Sequence, residues 1–499
     1  MSLVQEYINQ NSNNISTEMI AYLANLELVA KVDNDIAKSI VKELKDQRTH
    51  LKMIASENYC SQSVQAAMGN LLTDKYAEGF PFHRFYAGCD NVDMIEAKAA
   101  DYAKKLFGAE HAYVQAHSGA DANMLAYWTI ISKRIQEPQI EKYGTTDPGK
   151  LSREDWEDLK KQLGNQKLMG LNYYSGGHLT HGYRHNVSAR MFDCISYDVD
   201  PETQRLDYDS IREMALKEKP LVFLTGYSAY PRKINFKTMR AIADEIGAVF
   251  MVDMAHFAGL VAGKVFTGDY DPVAHAHIVT STTHKTLRGP RGGLVLCKDE
   301  FAEWLNKGCP ILQGGPLPHV MAAKAIAFKE ALEPSFQTYA AKIVENSNAL
   351  AETLMEEGIK LTSDGTDNHL MVLDIQSFGI TGRQGEDALR EASITLNRNS
   401  IPFDPNGAWY TSGLRLGTAA LTTLGMGVEE MREIGKVVKL ILSNTTANII
   451  AKGKSEGQKS KAKYTLDEAA LSEARARVEV LLSKYTLYPE LDLNLLEKI

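Results

Sequence analysis

The sequence predicts an α/β protein: a large domain built on a mostly parallel sheet, followed by a smaller α+β domain toward the carboxy terminus. Three observations carry that reading. Between His111 and Gly315, short apolar runs such as Leu221–Leu224 and Ala248–Val252 alternate with helical patterns such as Asn235–Ile246, the rhythm of βαβ units. After about Ala340 the pattern changes to long helices with fewer strands, Leu370–Ile375 among them. With 499 residues, 44% of them hydrophobic, the chain is long enough for two or more domains.

Residues 1–60 read as an amino-terminal helical arm. Ile36, Ile40, Val41 and Leu44 suit an amphipathic helix from about Asp33 to His50, and Leu51–Cys60 reads as an extended segment able to cover a partner subunit. Residues 61–340 form the large domain. At about 132–165 its alternation is interrupted by a stretch rich in Lys, Glu and Gln, with Pro138, Pro148 and the helix-like SREDWEDLKKQLG, which reads as an insertion. The smaller domain spans 341–499. Within it, AKGKSEGQKSKAK at about 451–463 has almost no large apolar residue and reads as a mobile linker before a last helix near Asp467–Lys484.

A net charge of -8 argues against nucleic acid or an anionic membrane as the main partner, because either favours a basic surface. Five widely spaced cysteines without a CxxC pair suggest neither a disulfide framework nor a cysteine zinc site. No basic n-region with an apolar stretch opens the chain, and no run approaches a membrane span, so the expected location is the cytoplasm. A small-molecule site is the expectation.

Chemistry concentrates in three places. Lys285 follows the strand-like HIVTST within polar STTHKT and precedes Gly289-Pro290-Arg291-Gly292-Gly293, a setting suited to a lysine that forms a Schiff base. By position alone it reads equally as a surface lysine. Asp253 ends an apolar strand, and a carboxylate at the carboxyl end of a parallel strand suits the pyridine nitrogen of pyridoxal phosphate (PLP). A metal site or a helix cap is the alternative, with His256, His275, His277 and His284 nearby in sequence, though no ligand spacing supports a metal. Finally, Ser118 and Gly119 stand where a strand-like run gives way to a helix, as a phosphate cradle or an ordinary cap.

Taken together, THKTLRGPRGG, VDMAHFAGL, MIASENY, KYAEG, GGHLTHG and TSGLRLGT resemble serine hydroxymethyltransferase, from about Leu51 to Val437 and in the family's order. The long amino-terminal arm and the insertion resemble the chlamydia-like bacterial variant. The resemblance implies a PLP fold-type I, aminotransferase-like architecture and a homodimer with active sites shared between subunits. It implies interconversion of serine plus tetrahydrofolate with glycine plus 5,10-methylenetetrahydrofolate.

Residue by residue, Lys285 matches the lysine that carries PLP, Asp253 the partner of the ring nitrogen, His256 the group near the phenolic oxygen and His178 the imidazole stacked on the ring. Ser118, Gly119, Ser228, Tyr76, Gly314 and Gly315 match cofactor contacts, and Thr282 a residue that assists exchange of the amine on the cofactor. Arg415 matches the arginine that grips the substrate carboxylate, with Ser56 assisting. Glu78 matches the acid/base group beside the substrate hydroxyl and Tyr86 a residue reaching across the dimer, while Asn399 and Leu179 fall on the substrate and folate side. Arg291 matches a supporting residue.

Departures from the pattern lie around the phosphate and the folate. HSGADAN places Ala120 where a hydroxyl is usual and Asp121 near an expected anion. Phe85 replaces the first of a tyrosine pair, and Tyr173 replaces a leucine. These changes keep open a folate-independent 3-hydroxy amino acid aldolase, an alanine racemase or transaminase, or a cofactor-binding protein without catalysis.

Overall fold

The computed structural model describes residues 2–12, 14–453 and 455–499. Met1 and Asn13, in the expected arm, and Lys454, in the expected linker, lie outside the described residues. Five-residue runs such as Val222–Gly226, Val249–Asp253 and Ile278–Thr282 combine β-branched, aromatic and apolar side chains and are buried throughout, as strands covered on both faces must be. They belong to a seven-stranded sheet. Its spatial order is His111–Tyr113, Gly293–Cys297, Ile278–Thr282, Val249–Asp253, Val222–Gly226, Lys167–Leu171 and Asp193–Tyr197. The last five are parallel neighbours, whereas Gly293–Cys297 runs antiparallel to both of its own.

The strand period of two divides the core. Val222 and Leu224 pack with Leu125, Tyr127 and Met251 on one face, while Phe223 packs with Phe250, Val252 and Leu260 on the other. Because every parallel strand ends on the same edge, Asp253 and Thr282, the last residues of theirs, emerge side by side there.

A second, antiparallel sheet orders Lys360–Leu361, Leu370–Asp374, Gly413–Gly417 and Asn397–Asn399. Its register sets Arg415 between Val372 and Asn397. Leu51–Lys52 pairs in parallel with Ile394–Thr395, and Leu51 and Met53 are buried with Leu373 and Leu414. The segment read as an arm over a partner therefore runs into this chain's own second core before reaching Ser56. The preceding helix, Asn34–Thr49, buries Ala37, Val41 and Leu44, leaving Ile36 and Ile40 exposed. Farther upstream, Tyr7, Met19, Leu23 and Leu26 pack against Leu487, Leu491, Leu495 and Leu496.

The stretch at 132–165 is ordered: a π-turn at Ser132–Gln136, a short helix at Glu137–Lys142 and the expected helix at Arg153–Gly164, capped by Ser152 Oγ, which accepts from Asp155 N at 3.1 Å. The linker expected at 451–463 is corrected. Lys459–Leu466 forms a strand antiparallel to Thr445–Ile449. Ser460, Ala462, Tyr464 and Leu466 turn inward while the lysines stay exposed. Gln384 Nε2 donates to Ser460 O and Lys463 O, at 2.8 and 2.7 Å, and Thr381 Oγ1 donates to Lys461 O at 2.8 Å. Small residues at the start of its inward side hid the alternation, and side chains at the start of a neighbouring helix hold the strand through its backbone carbonyls. The helix expected near Asp467–Lys484 forms at Glu468–Lys484, capped by Asp467, and a short helix at Leu493–Leu496 follows it. Among the described residues no helix is long and apolar enough to cross a membrane.

Candidate active site

Lys285 stands three residues beyond the end of its strand, and its Nζ donates to Thr282 Oγ1 at 3.2 Å. Asn58 Nδ2 caps the Lys285 carbonyl at 2.9 Å, which ties the MIASENY segment to the loop. Burial pulls the Lys285 amine down to about 8; the Asp253 charge opposes this, and Arg415 and Arg291 add to it. Its free-base form, the nucleophile, is therefore accessible near neutral pH.

Asp253 is almost fully buried. It accepts from Asn123 Nδ2 at 2.9 Å, from His181 Nε2 at 3.0 Å and, at its other oxygen, from Ala255 N at 3.0 Å. Burial works to raise its carboxyl, but the hydrogen bond from His181, the charges that His181 and His178 carry when protonated at low pH, and the Asn123 hydrogen bond hold it well below the usual carboxylate range. His178 Nδ1 lies 2.7 Å from Thr180 Oγ1, and burial lowers the imidazole to about 4, so it is neutral at pH 7. His256 is buried 3.3 Å from His369 Nε2 and is held well below its ordinary value, chiefly by burial. The histidines that kept a metal reading open do not converge: His277 Nδ1 accepts from Phe250 N, and His275 faces Gly268 O. Metal-type spacing occurs instead at His178, His181 and Asp253, within 4.8 Å of one another, where His181 and Asp253 are already joined by a hydrogen bond.

From the second sheet, Arg415 Nη1 donates to Ser228 O at 2.7 Å and Nε to Asn397 Oδ1 at 3.2 Å. Burial lowers it to about 10, which leaves it charged. One cavity of about 310 Å³ is lined by Ser56, His178, Leu179, Ser228, His256, Lys285, Asn399 and Arg415 together with Tyr173 and Asn397. Beside it, Ser118 caps the helix Gly119–Ile131: its Oγ accepts from Asp121 N at 3.1 Å and donates to Asp121 Oδ2 at 3.0 Å. A Cβ on Gly119 would stand 2.6 Å from Thr282 Cγ2, so only glycine lets the cradle approach Thr282.

Five expected residues gather elsewhere, on the surface. The Tyr76 and Tyr86 rings lie 4.9 Å apart and Tyr76 OH donates to Glu78 Oε1 at 3.2 Å. A Cβ on Gly315 would touch the Tyr76 ring at 3.0 Å, with Gly314 adjacent. Tyr76 and Tyr86 are 52% and 45% exposed, and none of the five lines the chain's own cavity. Arg291 is exposed and reaches Lys285 only through its charge.

The family model described as serine hydroxymethyltransferase matches residues 29–152 and 159–438. The chain belongs to the serine hydroxymethyltransferase family. Among its relatives, the serine hydroxymethyltransferase of Treponema pallidum is 58% identical over 492 residues, 98% of this chain and 85% of the relative. That of Salinispora tropica is 54% identical over 479 residues, 96% and 99% of the two chains. That of Chlamydia trachomatis serovar D is 51% identical over 498 residues, 99% of each. Within the stretch read as an insertion, the family match omits only 153–158, so most of 132–165 follows the family pattern.

Serine hydroxymethyltransferases work with PLP, and the side chains here fit it. A buried, ionised carboxylate faces away from solvent as a ring nitrogen's partner would, a lysine with a lowered pKa stands beside it, and a capped helix start offers N–H groups to a phosphate. Sequence reading missed the residues that hold these groups: His181, Asn123, Asn397 and His369. Two had a signal within the quoted motifs. His181 follows His178 by three residues in GGHLTHG, one 3₁₀ turn, and Asn123 lies one helical turn inside from Gly119 in HSGADAN.

Proposed function

We propose that this chain is a PLP-dependent enzyme that interconverts serine plus tetrahydrofolate with glycine plus 5,10-methylenetetrahydrofolate, as a homodimer whose active sites each draw on both subunits. One juxtaposition carries the reading: Lys285 and Arg415 line the same cavity, and the Asp253 carboxylate lies close enough for its charge to act on Lys285. An amine to hold the cofactor, a guanidinium for an amino acid's carboxylate and an anion for a ring nitrogen are the parts this chemistry needs.

PLP, when bound, supplies an electron sink for the bonds breaking at the amino acid's α-carbon. Asp253 would hold a proton at the ring nitrogen, neutral His178 would support the ring and His256 would serve its phenolic oxygen. Ser118, Gly119 and Ser228 would hold the cofactor from this subunit, and Thr282, whose hydroxyl accepts from the Lys285 amine, would orient that amine. Arg415, aided by Ser56, binds both carboxylate oxygens and so fixes which substrate bond stands free to break. Asn399 and Leu179 face the folate.

Glu78 of one subunit serves the site of the other, moving the proton of the serine hydroxyl, with Tyr76, Tyr86, Gly314 and Gly315 reaching across the same boundary. Two features support this crossing. These residues sit outside their own chain's cavity, and they stand among exposed Leu71, Phe82, Phe85 and Ile311, an apolar surface suited to a second copy. The division into an arm at 1–60, a PLP-binding domain at 61–340 and a small domain at 341–499 belongs to the same reading. So does a cytoplasmic location, which its five free cysteines favour.

The test is glycine formation from serine at varied tetrahydrofolate. A saturable dependence on tetrahydrofolate is expected; an equal rate without it would replace this reading with a folate-independent aldolase.

A further inference from the structure

Lys324 is a lysine in an apolar helix, Pro318–Ala331, and is 1% exposed. Its ammonium donates to three backbone carbonyls: Val114 O at 2.6 Å, Gly293 O at 2.8 Å and Ala116 O at 2.9 Å. Three acceptors around one nitrogen match the three N–H bonds of the charged form; burial lowers the amine to about 7, while the charge of Glu96 favours that form. Among the described residues no carboxylate comes within ion-pair distance of it, although a buried charge is normally paired.

The three carbonyls belong to the two segments that build the phosphate cradle. Val114 and Ala116 carry the chain from the edge strand His111–Tyr113 to Ser118, and Gly293 opens the strand that returns from the Lys285 loop. Gly293 N donates to Ala116 O at 2.8 Å, so that carbonyl receives both the strand and the lysine. The approach is close enough to dictate both glycines of the Gly292-Gly293 pair. A Cβ on Gly292 would stand 2.5 Å from Lys324 Cε, and one on Gly293 would stand 2.2 Å from Ser118 O. Lys324 thus grips the cradle from behind, where Asp121 has added a carboxylate that accepts the Ser118 hydroxyl proton.

We propose that Lys324 is a positioning residue for the cofactor phosphate: it fixes the Ala116–Ser118 backbone against Gly293 and places a buried positive charge behind the helix start that receives the anion. The inference rests on the reading of Ser118 and Gly119 as the phosphate cradle. Buried, that charge is less screened than one at the surface.

The test compares PLP with pyridoxal, which carries the same aldehyde and ring without the phosphate. The full-length chain, stripped of PLP, is titrated with each, in wild type, Lys324→Met, Gly292→Ala and Ser118→Ala. Lys324→Met keeps the side-chain length and removes the charge; Gly292→Ala keeps the charge and displaces it. The preference for PLP over pyridoxal is expected to fall about tenfold or more in Lys324→Met and in the same direction, by less, in Gly292→Ala. If Lys324→Met weakens both ligands equally, or neither, while Ser118→Ala lowers the preference, the inference is overturned and the cradle stands. If none of the variants, Ser118→Ala included, lowers the preference, the cradle falls and the inference with it.

Discussion

His181 Nε2 lies 3.0 Å from Asp253 Oδ2, while its Nδ1 accepts the His178 backbone N–H at 3.3 Å. The second bond assigns the ring proton to Nε2, so the imidazole donates to the carboxylate. The GGHLTHG turn thereby supports the cofactor site twice: His178 lines the cavity and His181 holds the acid behind it.

Removing that donor tests the support. His181→Leu deprives a buried carboxylate of a hydrogen bond worth about 1.5–3 kcal/mol, a factor of roughly ten to a hundred. Serine turnover is expected to fall within that range, and a borohydride-trappable adduct at Lys285 should persist, because the lysine is untouched. Loss of the adduct together with activity would make His181 a folding residue instead.

The lowered amine of Lys285 sets a pH dependence. Its ammonium form is disfavoured by burial, so the neutral amine grows as pH rises through about 8. Capture of PLP by the cofactor-stripped chain should accelerate from pH 7 to pH 9 with an inflection near that value. Arg291→Ala removes a charge that lowers the amine and should move the inflection upward. Lys285→Ala should abolish both the adduct and turnover with serine.

Much of this was legible in the sequence, for a physical reason. Lys285, Asp253, His178 and Arg415 each stand in a contiguous motif: Asp253 ends a strand of the parallel sheet, Lys285 follows the end of its neighbour by three residues, His178 opens a 3₁₀ turn and Arg415 lies within a strand of the second sheet. The partners of these residues depend on relations that linear spacing does not carry. Asn397 reaches Arg415 because the register of two antiparallel strands sets them opposite one another. Lys324 looks like any lysine in a helix until Val114, Ala116 and Gly293 converge on it. The strand at Lys459–Leu466 escaped because its inward side begins with serine and alanine, which carry no hydrophobic signal.

Arg415 offers a test of the substrate's orientation. Its Nη1 and Nε are engaged by Ser228 O and Asn397 Oδ1, which locks the plane of the guanidinium. Arg415→Lys keeps a charge and loses the fork, so KM for serine should rise by roughly ten- to a hundredfold, as expected for a charge-assisted bidentate contact. PLP affinity should hardly change. A parallel loss of PLP binding would place Arg415 in the cofactor site and leave the carboxylate without its partner.

The crossing of subunits can be decided by mixing two inactive chains. If Glu78 serves the neighbouring site, a dimer of one Lys285→Ala chain and one Glu78→Gln chain has one site with both groups intact and one with neither. Random pairing makes half of the dimers mixed, and half of their sites are whole, so about a quarter of wild-type activity should appear on co-assembly from two nearly silent parents. Should Glu78 instead act within its own chain, every site in every dimer would lack one group. Mixing would then restore nothing, and the surface cluster around Tyr76 and Tyr86 would need another role.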